Sequence, residues 1–301
     1  MDRRATRDRE TLKDRAIVLA YQALGAVARA IPERTGRAIF TRAGLLAHRL
    51  APHVRAVVAA NQAQVLGRAA ADPLVEASTR EAFALYGRFW YDAFHLTELS
   101  DGEAIERVHC DTAGRLWEAH AAGKGAVLVL PHIGNWDAAG RWMTAIGLPL
   151  VSVAEELKPH RLFELFLEHR RALGLDMFGL SDANLGRQLV SSLADNRMVA
   201  LIADRDFGGR GVEVEMFGRP RRLPAGPALL ALTTGAPLMV TPVYQTRDGW
   251  RIQIGAPLTI EPTTDRRADV QALTELMARA FEEAISAAPA DWHMFQPGWE
   301  R

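Results

Sequence analysis

His132 and Asp137 stand five residues apart in "VLVLPHIGNWDAAGRW", residues 127–142, directly after a run of aliphatic side chains. A carboxylate on one imidazole nitrogen fixes the tautomer and stabilises the imidazolium, leaving the other nitrogen to take a proton from a hydroxyl near neutral pH. Within one helix a five-residue step turns two side chains about 140° apart. With a bend between them they can face each other across a loop, which is the arrangement expected here. The same spacing also suits a histidine held by a carboxylate for structure alone, or two ligands of a metal site.

The flanking residues predict such a bend. Ala126–Leu130 is continuously apolar, as in a strand buried on both faces, and Pro131 cannot donate to a sheet ladder, so the strand should end there. Gly134 permits a tight turn, Asn135 is a good N-cap, and a helix should run from Trp136 with Asp137 in its first turn. His132 then lies at the C-terminal mouth of a strand, where open α/β sheets bind ligands.

Further strands are expected at Leu150–Ala154, Met198–Ile202, Leu238–Tyr244 and Trp250–Ile254, with helices between several of them. The fold class is therefore α/β, a mostly parallel or mixed central sheet flanked by helices, with a helical N-terminal region over residues 1–100 packed on a single domain of residues 1–301. Within that region Thr35–Leu50 is amphipathic. Ile39, Phe40, Ala43, Leu46, Ala47 and Leu50 share one face and Arg34, Arg37, Arg42 and Arg49 the other, so the apolar stripe either packs on the core or meets a membrane surface. Arg80–Leu96 is an aromatic-rich helix, read as core or as the wall of an apolar channel.

The 301-residue chain is 49% hydrophobic with a formal net charge of zero, so it can fill a core and nothing in its charge calls for nucleic acid. Arginines outnumber acids between Ala16 and Ala71, however, and a basic amphipathic helix beside an apolar one suits an anionic membrane surface. The apolar stretch after the mixed-charge start is too short to span a bilayer, and that start is unlike a signal peptide. Cys110 is the sole cysteine, which excludes a disulfide framework.

His132…Asp137 behind a buried strand resembles the H-x-x-x-x-D signature of the glycerolipid and lipid A acyltransferase superfamily. The longer string "VLPHIGNWDAAGRW" resembles the actinobacterial phosphatidylinositol mannoside acyltransferases in particular, as do Val153–Leu175, Ala203–Leu238 and "APADWHMFQPGW" at Ala288–Trp299. The resemblance implies acyl transfer from acyl-CoA to a mannose hydroxyl of a glycolipid, by a peripheral protein at the cytoplasmic face of the plasma membrane. His132 and Asp137 match the catalytic pair of that family, and Glu155 and Arg170 its active-site acid and arginine. Where the family has Glu-Arg-Asp this chain has Asp204-Arg205-Asp206. The glutamate that supports the histidine there is thus an aspartate here, one methylene shorter, and its reach to His132 stays open.

A thioester is already activated, so the expected reaction needs no cofactor, metal or enzyme nucleophile, and acyl-CoA is a substrate. Cys110 lies away from the motif, and "GLSDA" around Ser181 is not a nucleophile elbow. Arg205, with Arg210, Arg219, Arg221 and Arg222, is read either as a solvated basic loop or as a grip on phosphates. Trp136, Trp142, Met143, Phe83, Phe89 and Trp90 are candidates to line an acyl tunnel. A lipid A type acyltransferase, or a thioesterase or lipid hydrolase using the same histidine, are the alternatives.

Overall fold

The computed structural model describes residues 11–299. The reading of the chain's first ten residues lies outside them. Four helices come first: α1 (Leu12–Ala30), α2 (Glu33–Leu50), α3 (Pro52–Leu66) and α4 (Pro73–His95). After α5 (Asp101–Glu106), β1 (Val108–His109) and α6 (Gly114–Ala121), strands and helices alternate as β2 (Ala126–Leu130), α7 (Trp136–Ala145), β3 (Leu150–Ala154), α8 (His160–Ala172), β4 (Asp176–Gly179), α9 (Leu185–Ala194) and β5 (Met198–Ile202). The hairpin β6 (Val212–Met216) and β7 (Arg219–Leu223) precedes α10 (Gly226–Thr234), β8 (Leu238–Val240), β9 (Val243–Gln245), β10 (Trp250–Ile252) and α11 (Arg266–Ala287).

The central sheet has the order β4-β3-β5-β2-β8 and is parallel throughout. Alternation along β2 divides its side chains between two cores. Val127 and Val129 join residues of α10 and α11, while Ala126, Leu128 and Leu130 join Ala138, Trp142 and Met143 of α7. Helices on both faces account for the absence of polar residues in β2.

The stretch expected as one strand at Leu238–Tyr244 is two. Pro242 lacks the N–H needed to extend the ladder, so β8 pairs with β2, and β9 turns away to pair with β10 in a second, three-stranded sheet. Trp250–Ile254 shortens to Trp250–Ile252.

Only part of the apolar stripe of α2 packs. Gly36, Phe40 and Gly44 form the packed seam: a Cβ on Gly44 would stand 2.1 Å from the Phe83 carbonyl oxygen of α4, and one on Gly87 of α4 would stand 2.2 Å from that of Phe40. The two backbones touch, and only glycine fits. This close crossing takes Phe40 inward and leaves Ile39, Leu46 and Leu50 exposed. Arg37 leaves the solvent face, pairing with Glu33 at 2.9 Å and Asp92 at 2.7 Å. Among the described residues no helix is long and apolar enough to cross a membrane.

Candidate active site

His132 emerges two residues past the end of β2, and Asp204 two residues past the end of its neighbour β5. Because the strands run parallel with Leu130 opposite Ile202, the two side chains arrive side by side although 72 residues separate them. Nδ1 of His132 lies 2.5 Å from Oδ1 of Asp204, and the His132 backbone N–H donates to Oδ2 at 3.0 Å. The shorter acid therefore reaches the ring. Trp292 Nε1 donates to Oδ2 at 2.8 Å and Arg221 Nη2 to the Asp204 carbonyl at 2.5 Å.

Asp204 is fully buried. Burial alone would raise its carboxyl, but the charge and hydrogen bond of His132, with Arg221 and Trp292, outweigh that and hold it well below the usual carboxylate range. An ionised carboxylate only accepts, so His132 Nδ1 carries the hydrogen and the lone pair of the neutral ring is on Nε2. Among the described residues no hydrogen-bond partner holds Nε2. Trp136 packs nearly perpendicular to the ring with centroids 5.4 Å apart, which helps to fix its orientation.

Asp137 is not the carboxylate on the histidine, contrary to expectation. Gly134 turns the chain with φ +60° and the Asn135 side chain caps α7 by accepting from the Ala138 N–H at 3.0 Å. In the first turn of α7, Asp137 accepts from Arg170 Nε of α8 at 2.9 Å, with both side chains largely buried. Asp137 and Arg170 thus pin α7 to α8. Together they line the cleft that holds His132 and also an adjoining apolar pocket.

The cleft is about 280 Å³ and brings together His132, Asp137, Glu155, Arg170 and Arg205. Glu155 is exposed at its rim. Arg205 bonds Gln296 and lies over the Phe207 ring at 4.4 Å. Helix α4 supplies Tyr86, Phe89, Trp90 and Phe94 to the wall, so the aromatic helix is both core and lining. Of the candidate tunnel residues, Trp142 and Met143 line the apolar pocket, Phe89 and Trp90 the cleft, and Trp136 both. Phe83 does neither. It packs with Val58, Ala82 and Ala290 in a separate cluster.

Sequence reasoning assigned no role to the residues that hold the pair in place. The chain from Asp291 to His293 crosses the His132 loop: Gly134 N–H donates to the Asp291 carbonyl at 2.9 Å and His293 N–H to the His132 carbonyl at 2.7 Å. Asn61 of α3 anchors the following residues, donating to the Met294 and Gln296 carbonyls at 2.9 and 2.8 Å and accepting from Gly298 N–H at 2.9 Å. His293 is buried, and burial lowers its pKa to about 3, so it adds no positive charge beside His132. The matching segment "APADWHMFQPGW" was the only signal for these contacts.

Two expectations follow. Trp292→Phe removes one donor from a buried carboxylate, a loss of about 1.5–3 kcal/mol, and should lower kcat about tenfold or more with KM little changed, as steady-state kinetics will read. Asp291 is pushed up to about 7, chiefly by burial. In the unfolded chain it ionises near 4, so between about pH 4 and 7 the folded protein keeps a proton that the unfolded one loses, and stability from this group falls as pH rises to about 7. Asp291→Asn cannot titrate. Relative to it, the wild type should lose on the order of 2 kcal/mol between pH 5 and 7 in chemical denaturation.

The profile of the bacterial lipid A biosynthesis acyltransferase family matches residues 5–301. The chain is 37% identical over 283 residues to a phosphatidylinositol mannoside acyltransferase of Mycolicibacterium smegmatis (strain ATCC 700084 / mc(2)155), covering 93% of this chain and 90% of that protein. It is 39% identical over 288 residues to the phosphatidylinositol mannoside acyltransferase of Mycobacterium tuberculosis (strain ATCC 25618 / H37Rv), covering 93% and 87%. A histidine and a buried acid meeting at the lip of a parallel sheet, and agreement along nearly the whole sequence, lead to one conclusion: the chain is an acyltransferase and belongs to the bacterial lipid A biosynthesis acyltransferase family.

Proposed function

We propose that this protein transfers a long-chain acyl group from acyl-CoA to a sugar hydroxyl of a glycolipid of the phosphatidylinositol mannoside type, with His132 as general base. The observation that carries the mechanism is the 2.5 Å contact between His132 and a buried Asp204. Nε2 takes the hydroxyl proton as the sugar oxygen bonds to the thioester carbonyl carbon. The tetrahedral oxyanion then collapses, the C–S bond breaks, and the imidazolium returns its proton to the departing thiolate. General-base help of this kind contributes on the order of 10²–10⁴ in rate.

Backbone N–H groups at the start of α7 are the candidate oxyanion donors. Those of Gly134 and Ala138 already serve the Asp291 carbonyl and the Asn135 side chain, so Trp136 and Asp137 are the ones proposed. Glu155, at the rim, is suited to accept from sugar hydroxyls. Arg170, tied to Asp137, is suited to hold the wall between the cleft and the apolar pocket. The acyl chain enters along the aromatic wall of α4, each buried methylene contributing about 0.8 kcal/mol.

The protein is proposed to work as a peripheral protein at the cytoplasmic face of the plasma membrane. Leu12, Leu19, Leu24 and Val27 of α1, Ile39, Leu46 and Leu50 of α2 and Val54 of α3 are exposed. Exposed Arg34, Arg42 and Arg49 stand among them in sequence. Apolar side chains with interleaved arginine favour an anionic lipid surface. Each arginine contributes about 1 kcal/mol there, so replacing these three by glutamine should lower partitioning into phosphatidylglycerol vesicles roughly a hundredfold in a sedimentation assay. Added salt should weaken the wild type similarly.

The function itself is tested by incubating the protein with palmitoyl-CoA and a panel of glycolipids. Acylated phosphatidylinositol mannoside is the expected product. Acylation of a lipid A precursor alone would reassign the acceptor, and rapid fatty-acid release indifferent to acceptor would make the protein a hydrolase.

A further inference from the structure

Beyond Asp204 the cleft adjoins a second hollow, about 480 Å³, between the β6–β7 hairpin and the residues Gln296–Trp299. The two share Arg205, Phe207 and Gln296, so one extended molecule can occupy both. Four arginines line the second: Arg205, Arg219, Arg221 and Arg222. Its acids are Asp204, Asp206 and Glu213. Asp204 accepts from His132 and lends its charge to Arg221, and Asp206 accepts from the N–H groups of Gly208 and Gly211 at 3.0 and 2.6 Å, closing its own loop. Glu213 meets Arg222 at 3.1 Å on the open side.

Arg221 is the unusual member. The residue is 7% exposed, with the guanidinium carbon 5.4 Å from the Trp292 ring centroid and 5.1 Å from that of Trp299. Nη2 serves the Asp204 carbonyl, whereas Nη1 has no hydrogen-bond partner among the described residues. A Cβ on residue 298 would lie 2.9 Å from Nη1, so glycine is what fits against that edge of the guanidinium. Asp204 meets the charge of Arg221, but a buried guanidinium N–H left without an acceptor is costly. The planar, five-donor guanidinium group matches phosphate oxygens. The basic hollow lined by Arg34, Arg37, Arg107 and Arg247 shares no residue with the cleft, and its Glu33 already pairs with Arg37 and Arg107.

We propose that the hollow beside Asp204 is a phosphate-binding subsite, taking the phosphates of a substrate whose reacting end lies at His132. These come from the nucleotide of the thioester donor or from the phosphodiester of the glycolipid acceptor. That choice of sources rests on the transferase reading above; the affinity for phosphate does not.

The test is isothermal titration of the full chain with coenzyme A, with pantetheine, which lacks phosphate, and with glycerophosphoinositol, comparing wild type with Arg222→Gln and Arg205→Gln. Arg222 is half exposed, so its variant should fold, and a thermal melt checks both. Coenzyme A affinity falling about tenfold in each variant, with pantetheine unchanged, supports the subsite and gives it to the donor. The same loss for glycerophosphoinositol alone supports it and gives it to the acceptor. Variants that bind both phosphate probes as tightly as wild type, or a wild type that binds neither, overturn the proposal. If the phosphate affinities behave as expected while the wild type transfers no acyl group in any assay, the transferase reading falls and the subsite stands.

Discussion

His132→Ala should abolish acyl transfer, lowering kcat about 10⁴-fold, the upper range for general acid–base catalysis. Alanine also strips Asp204 of its Nδ1–H donor and leaves a buried carboxylate with the residue-132 N–H and Trp292 as its nearest donors. Some loss of stability is therefore expected from that variant. His132→Asn separates the two effects, because an amide nitrogen can replace Nδ1 as the donor to Asp204 but offers no basic nitrogen to a hydroxyl. The asparagine variant should melt close to wild type and remain as inactive as the alanine one, measured by product formation and thermal denaturation. Appreciable turnover in a folded asparagine variant would sink the general-base role.

Asp204→Asn should be the second most damaging change, with kcat down about 10³–10⁴-fold, the loss seen when the acid behind a catalytic histidine is neutralised in place. The hydrogen bonds explain why so small an edit is severe. Oδ1 faces the ring nitrogen, and Oδ2 accepts from both the His132 N–H and Trp292 Nε1. Either orientation of an amide turns its NH₂ against a donor, leaving buried polar groups unpaired at about 1–3 kcal/mol. If the amide oxygen stays on the backbone side, the NH₂ faces Nδ1 and drives the ring hydrogen to Nε2, where no base remains. Kinetics with a calorimetric melt should therefore register loss of both activity and stability. A variant that kept wild-type kcat would leave Asp204 a structural acid only.

Glu155, exposed at the rim of the cleft, contrasts with these buried groups, and the part in acceptor binding proposed for it depends on what occupies the cleft.

Local chemistry carried much of the fold. Five aliphatic residues ending at a proline, then glycine and asparagine before a helical run, are instructions read within a few residues, and β2, the Gly134 turn and the capped α7 follow them. The same holds for β3 and β5, whose apolar runs suit strands covered on both faces. Where a proline was overlooked, at Pro242, one expected strand became two in different sheets. The packed seam of α2 was not legible in its apolar stripe, because a helical wheel ranks side chains by hydrophobicity, whereas close backbone approach selects glycine, which such a wheel discounts.

At the site, the sequence by itself determined that a histidine would stand at the mouth of a buried strand, since strand, proline and turn are all contiguous with it. Only the tertiary structure decided which acid would hold that histidine. Asp137 is near in sequence but rides the first turn of a helix toward Arg170, while Asp204, 72 residues away, is delivered by the register of a neighbouring parallel strand. Trp292 and Arg221 come from still more distant elements. Hydrogen bonds between strand ends depend on which strands lie side by side, and that is settled by burying both faces of the sheet at once, an outcome no local pattern encodes.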